Sequence, residues 1–280
     1  QNQRERAVAG DETAALKKEE KAAQDALVLP GERVDELYWR GLKLIQQPQY
    51  FCMAVDAILL ADFAEPRPGD EICDLGTGNG ALPLLLWAKQ PRAHYTGLEL
   101  MPKVAALARR NVAYNKLIGH IDIQEGDLKT AGQQLGKGRF GLVVSNPPYA
   151  KRESGKISAA PEVAAARTEL HCTLADVVRE AAALLRSHGR FALVHRPDRL
   201  AEAIHLMTQF GLIPKRLRLV QPQAGKPPIL FLLEGIRDGK DGLHVLPTLI
   251  LRQNGAESLE LAAIYARPSQ EKKGEAHEQA

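Results

Sequence analysis

The chain has 280 residues, 45% of them hydrophobic, and its 37 basic and 34 acidic side chains leave a net charge of +3. That length and apolar content support one sizeable, mainly aliphatic core, and no apolar run approaches the ~18 residues that a membrane-spanning helix needs. Three scattered cysteines, Cys52, Cys73 and Cys172, form neither a disulfide framework nor a metal-spaced cluster and point to a reducing, cytoplasmic setting, while +3 is too small a charge to argue for nucleic-acid binding by itself.

Residues 1–29 are rich in charge and poor in large apolar side chains. They are expected to form a polar extension, with at most a frayed helix around 14–27. The chain opens on Gln without a secretory apolar stretch, as expected of a processed chain or a fragment. Further along, Glu71-Ile72-Cys73-Asp74-Leu75 reads as a short strand running into Gly76-Thr77-Gly78-Asn79-Gly80. The glycines permit a tight turn and close approach of a ligand. A helical pattern (Leu82, Leu85, Leu86, Ala88) follows, and its amino end presents free N–H groups. The spacing is G-x-G-x-G, not the G-x-G-x-x-G of dinucleotide folds. Asp74 would repel a pyrophosphate there, but it suits a cationic, amino-acid-bearing cofactor such as S-adenosylmethionine. A plain strand–helix turn without a ligand is the competing reading.

His94-Tyr95-Thr96-Gly97-Leu98-Glu99 reads as the next strand. Its terminal carboxylate stands where a ribose diol is gripped in doubly wound nucleotide folds; alone it reads better as a solvated strand end, and the register with the glycine turn reverses that. Ile121 and Ile123 mark a third strand closed by Gly126-Asp127-Leu128, with Asp127 a candidate acceptor for an adenine amine. A fourth apolar run, Leu142, Val143 and Val144, ends in Asn146-Pro147-Pro148-Tyr149. Adenine N6 is a poor nucleophile because its lone pair is delocalised into the ring. Two acceptors, the Asn146 side-chain oxygen and the Pro147 carbonyl, can each take one N6 proton and aim the lone pair at an incoming methyl group. Pro147 restricts Asn146 to an extended backbone, both prolines fix φ, and Tyr149 offers a flat face for an extracted base. Such dipeptides also simply terminate strands.

Residues 150–166 are long for a connection and are expected to form a flap ordered by substrate. Helices are expected over 175–185, with Gly189 as the residue that ends the first, and over 200–210. Strands are expected over 190–195, 215–220 and 229–234, the last two as a hairpin bridged by 221–228. Seven strands alternating with helices imply an α/β, Rossmann-like, doubly wound and mostly parallel sheet with helices on both faces. Lys151-Arg152, Arg196, Arg199 and Lys215-Arg216-Leu217-Arg218 are basic clusters. Lys151 and Arg152, directly after the tetrapeptide, are the candidates for phosphate contact. The histidines show no zinc spacing, and no metal is expected.

Over roughly residues 33–265 the chain resembles the class I S-adenosylmethionine-dependent methyltransferases, in particular the bacterial tRNA1(Val) adenine-N6 methyltransferases. The resemblance rests on Arg33-Val34-Asp35-Glu36-Leu37 with Gly41-Leu42-Lys43-Leu44-Ile45-Gln46, on 51–60, on the glycine turn, on the Asn-Pro-Pro-Tyr tetrapeptide, and on Val194-His195-Arg196-Pro197. Arg167-Thr168-Glu169 departs from the family's Arg/Asn-His-Glu pattern, with His171 displaced. The resemblance implies a methyltransferase domain over 30–266 between polar tails at 1–29 and 267–280. It implies S-adenosylmethionine as cofactor, held by Asp74, Gly76, Thr77, Gly78, Asn79, Gly80, Glu99 and Asp127, with Phe51 and Asp56 closing the pocket. Catalysis falls to Asn146, Pro147, Pro148 and Tyr149, on RNA, specifically tRNA, with no membrane and no obligate protein partner. The same chemistry on DNA adenine, rRNA guanine N2 or a protein glutamine stays open, as do a nicotinamide oxidoreductase and a catalytically silent RNA-binding module.

Overall fold

The computed structural model describes residues 18–19, 21–48, 55–147 and 172–267. A hairpin of β1 (Arg33–Glu36) and β2 (Lys43–Gln46) precedes the main sheet. Then come α1 (Val55–Phe63), β3 (Glu71–Leu75), α2 (Ala81–Lys89), β4 (His94–Glu99), α3 (Pro102–Tyr114), β5 (Ile121–Glu125), α4 (Ala131–Leu135) and β6 (Phe140–Ser145). After them follow α5 (Leu174–Leu184), β7 (Leu185–His195), α6 (Leu200–Gln209), β8 (Leu212–Gln223) and β9 (Leu230–Arg237). The short β10 (His244–Val245), β11 (Leu249–Gln253) and β12 (Ala256–Glu257) lead to α7 (Leu259–Tyr265).

The strand order is β12-β11-β8-β9-β7-β6-β3-β4-β5, with β10 also on β8. Strands β3 to β7 are mutually parallel, and β9 runs antiparallel between β7 and β8. The two-residue period of a strand sends alternate side chains to opposite faces. Ile72, Leu142, Val144, Ala192 and Val194 join one core with α1, α2, α3 and α7. Cys73, Leu75, Val143, Phe191 and Leu193 join the other with α4, α5 and α6. Burial on both faces is why these strands are continuous apolar runs.

The seven expected strands are β3 to β9; β10, β11 and β12 extend the β8 edge, so the sheet has ten strands among the described residues. One expectation is overturned. Gly189 does not end a helix: α5 stops at Leu184, Leu185 is already extended (φ −72°, ψ 135°) and pairs with Phe140. Gly189 sits inside β7, where a Cβ would lie 2.8 Å from the Arg186 carbonyl oxygen and 3.1 Å from that of Phe140.

The basic cluster on β8 is engaged within the fold. Arg216 lies over the Phe63 ring at 4.5 Å and meets Glu65 at 2.9 Å and the buried Glu234 at 3.3 Å. Arg218 pairs with Glu260, and Lys215 Nζ donates to the carbonyls of Lys240 and Asp241. Arg199 is buried against Glu202, and Arg196 lies 3.4 Å from Asp198. At the other end of the chain, residues 21–25 are helical. Gln24 donates to the Tyr114 carbonyl, and Arg110 on α3 grips both Glu32 oxygens and the Leu27 carbonyl.

Candidate active site

The chain leaves β3 toward β4 and β5, and leaves β6 toward β7 on the other side. The strand order therefore reverses between β3 and β6, and open α/β sheets take their ligands outside the carboxyl ends of the strands at such a point. Register places Asp74 opposite Val144. One residue further, the buried Ser145 hydroxyl donates to the Leu75 carbonyl at 2.8 Å. The glycine turn after Leu75 and Asn146 after Ser145 thus leave the sheet side by side, with Asn146 half-buried and Pro147 buried. Ser145 was not among the expected site residues; a hydroxyl closing an otherwise apolar run was its signal.

Gly76, Gly78 and Gly80 take φ of 76°, 57° and 82°, a region that favours glycine. The Gly76 and Thr77 N–H groups both donate to the Leu98 carbonyl, and the Gly80 N–H donates to that of Thr77. Gly97 on β4 makes room for the turn. A Cβ there would stand 2.7 and 2.8 Å from the Thr77 side chain and 2.9 Å from Ile123 Cδ1. We expect Gly97→Ala to cost about 1–3 kcal/mol by overpacking, read as a lower Tm, and to weaken cofactor binding by displacing Thr77.

Three buried polar atoms around this turn have no hydrogen-bond partner among the described residues: Asp74 Oδ1, Thr77 Oγ1 and Asn79 Nδ2. Buried polar groups are normally paired, so an acceptor, a hydroxyl and an amide donor together form a cradle that fits an amino-acid moiety carrying both charges. Burial pushes the Asp74 carboxyl up to about 7. The nearby Thr77 hydroxyl tempers this without meeting hydrogen-bond geometry, and the Glu99 carboxylate adds to it.

Glu99 ends β4 and accepts from the N–H groups of Gly78 and Met101, both at 2.9 Å. Burial holds its carboxyl above the ordinary value despite these donors. Asp127 follows β5, half-exposed, and caps the short helix Leu128–Thr130 through the Lys129 N–H. Lys89, ending α2, donates to the carbonyls of Ala61, Asp62 and Ala64 at the end of α1. The two helices therefore meet at their carboxyl ends, and Asp56 is buried in the first turn of α1. Phe51, Pro148, Tyr149, Lys151, Arg152, His171 and the expected flap at 150–166 lie outside the described residues.

His195 is buried at the end of β7, where its Nδ1 accepts from the Arg196 N–H at 2.8 Å. Burial lowers its pKa to about 4, so it stays neutral near pH 7. Among the described residues no group of His, Cys, Asp or Glu could hold a metal ion, and no helix is long and apolar enough to cross a membrane. Asn111, fully buried on α3, was likewise not among the expected site residues. Its signal was a polar residue at a core position of an amphipathic helix.

Fold and site together define an S-adenosylmethionine-dependent methyltransferase of class I architecture. The chain belongs to the methyltransferase small domain family, whose model matches residues 42–215. It is 32% identical over 188 residues to the tRNA1(Val) (adenine(37)-N6)-methyltransferase of Porphyromonas gingivalis, covering 65% of this chain and 73% of that one. It is 38% identical over 96 residues to the release factor glutamine methyltransferase of Streptomyces coelicolor, covering 34% and 31%. Among solved structures, a protein described as a predicted O-methyltransferase from Agrobacterium tumefaciens superposes with a TM-score of 0.61 at 25% identity, over 75% of this chain and 95% of that one.

Proposed function

We propose that this enzyme methylates N6 of an adenine in tRNA, with residues 30–266 as the methyltransferase domain. The observation that carries the reading is the adjacency of Asn146-Pro147 to the glycine turn at the point where the strand order reverses. The names of its relatives support the same acceptor.

When bound, S-adenosylmethionine supplies an electrophilic methyl carbon on a sulfonium, an excellent leaving group. The chain's own work is then largely positioning. Asp74 receives the ammonium of the methionine end, within the backbone curve of Gly76, Thr77, Gly78, Asn79 and Gly80. Glu99 accepts from the ribose and Asp127 from the adenine amine, while Phe51 and Asp56 close the pocket from the amino-terminal side. The Asn146 carboxamide oxygen and the Pro147 carbonyl each accept one proton of the target amine, so that its lone pair points at the methyl carbon. Pro148 fixes the turn, Tyr149 stacks on the base, and Lys151 and Arg152 contact phosphate. No strong base is needed, because the methylated nitrogen becomes acidic and loses its proton to water.

A glutamine amide in a protein is the second reading, because the same two acceptors would orient its nitrogen and one relative is a glutamine methyltransferase. The test is incubation with labelled cofactor and bulk tRNA from a strain lacking the enzyme, followed by nucleoside analysis. Label in N6-methyladenosine is the expected result. Label confined to N-methylglutamine in added release factor would replace the proposal with the second reading.

A further inference from the structure

The edge of β2 that does not pair with β1 is covered by two carboxamides from α3. Asn115 Oδ1 accepts from the Lys43 N–H at 2.9 Å, and its Nδ2 donates back to the Lys43 carbonyl at 2.7 Å. One helical turn earlier, Asn111 Oδ1 accepts from the Ile45 N–H at 2.6 Å, and its Nδ2 donates to the Ile45 carbonyl at 3.0 Å. Four residues along a helix rise about 6 Å, and two along a strand span about 6.6 Å. The pair therefore matches alternate residues of β2 as a third strand would.

Asn111 does one thing that Asn115 does not. Its second Nδ2 hydrogen goes to the Asn79 carbonyl at 2.9 Å, inside the glycine turn. The peptide linking Asn79 to Gly80 is thereby held at both ends, because the Gly80 N–H donates to the Thr77 carbonyl. Ala108, one helical turn before Asn111 on the same face, rests against the same place: a Cβ on Gly80 would come 3.3 Å from the Ala108 Cβ. Asn111 is fully buried and both its donor hydrogens are committed. One carboxamide thus ties together two segments, the amino-terminal hairpin and the turn that carries the orphaned Thr77 Oγ1 and Asn79 Nδ2 atoms.

We propose that Asn111 is a positioning residue for the methyl donor: it locks the glycine turn in its binding shape and couples that shape to docking of the β1–β2 hairpin. This rests on the assignment of the glycine turn to the cofactor. A turn held before the ligand arrives lowers the ordering cost of binding. Because coupling is reciprocal, cofactor binding must in turn tighten the hairpin. The adjacent Asn115 provides a control that touches the same strand without reaching the turn.

The experiment uses the full chain and S-adenosylhomocysteine. Calorimetric titration compares wild type, Asn111→Ala and Asn115→Ala. Hydrogen exchange of the Ile45 amide is followed in wild type with and without the ligand, so that the test survives if Asn111→Ala fails to fold. We expect about a tenfold rise in Kd for Asn111→Ala and less than about twofold for Asn115→Ala. The KM for the donor should rise in Asn111→Ala while kcat at saturating donor stays within about threefold. Exchange at Ile45 should slow by about tenfold when the ligand binds. Equal Kd rises in both variants, or ligand-independent exchange at Ile45 in a wild type that binds normally, would overturn the coupling alone. A wild type that does not bind the ligand would overturn the cofactor assignment beneath it.

Discussion

Replacing Asn146 by Ala should lower kcat for methyl transfer by about two to three orders of magnitude, comparable to removing one preorganised polar group from an active site. Cofactor affinity should stay within about twofold of wild type, because the turn and Glu99 that are proposed to bind the donor are held by other contacts. The Ser145–Leu75 hydrogen bond fixes where β6 ends, and Pro147 then leaves Asn146 little choice but an extended backbone. Deleting the carboxamide removes one of two acceptors without moving the strand that presents it. Asn146→Asp keeps an acceptor oxygen and should retain more activity than Asn146→Ala. Single-turnover kinetics beside calorimetric titration check both quantities. Equal loss of transfer and cofactor binding would show that Asn146 supports the pocket and not the acceptor.

Asp74→Asn should abolish measurable donor binding while making the ligand-free protein more stable. Asp74 is buried with an unpartnered oxygen, and its carboxyl is pushed up to about 7. In an unfolded chain the same group titrates near 4. Ionising it therefore disfavours the folded state progressively as pH rises from about 4 to about 7, and by a constant amount above that. At pH 8 this amounts to about 4 kcal/mol at most; the new amide must still find partners, so the variant should gain on the order of 2 kcal/mol. The expected signature is an apo Tm several degrees higher at pH 8 and unchanged near pH 4. The same group makes donor binding pH-dependent. An ammonium is attracted to the carboxylate but not to the neutral acid, so affinity should weaken as pH falls below about 7. Affinity equal at pH 5.5 and pH 7.5 would remove Asp74 from contact with the donor.

What was legible in the chain depended on how local the signal was. Leu142-Val143-Val144 and Ile72-Cys73 read as strands because parallel strands covered on both faces must be apolar throughout. The glycine turn was legible because its positive φ angles admit few other residues. Gly189 misled because a Ser-His-Gly stretch after a helical pattern has the composition of a helix end. The decision was made by the pairing of Leu185 with Phe140, far away in sequence. β10 and β12, two residues each, are too short to show a period. The engagement of the basic run on β8 was not legible, because its acidic partners Glu65, Glu234 and Glu260 are distant along the chain. Asn111 was missed for the same reason: its partners are 66 and 32 residues away. The orphaned atoms of Thr77 and Asn79 emerge only once the surroundings of the turn are known.

The most direct measurement is a crystal structure of the full chain with S-adenosylhomocysteine bound. The expected result is the ligand's ammonium against Asp74, its ribose hydroxyls on Glu99, and its sulfur facing the Asn146 carboxamide across a gap wide enough for a methyl group and an amine. A ligand seated elsewhere on the sheet, or Asn146 turned away from the sulfur, would contradict it.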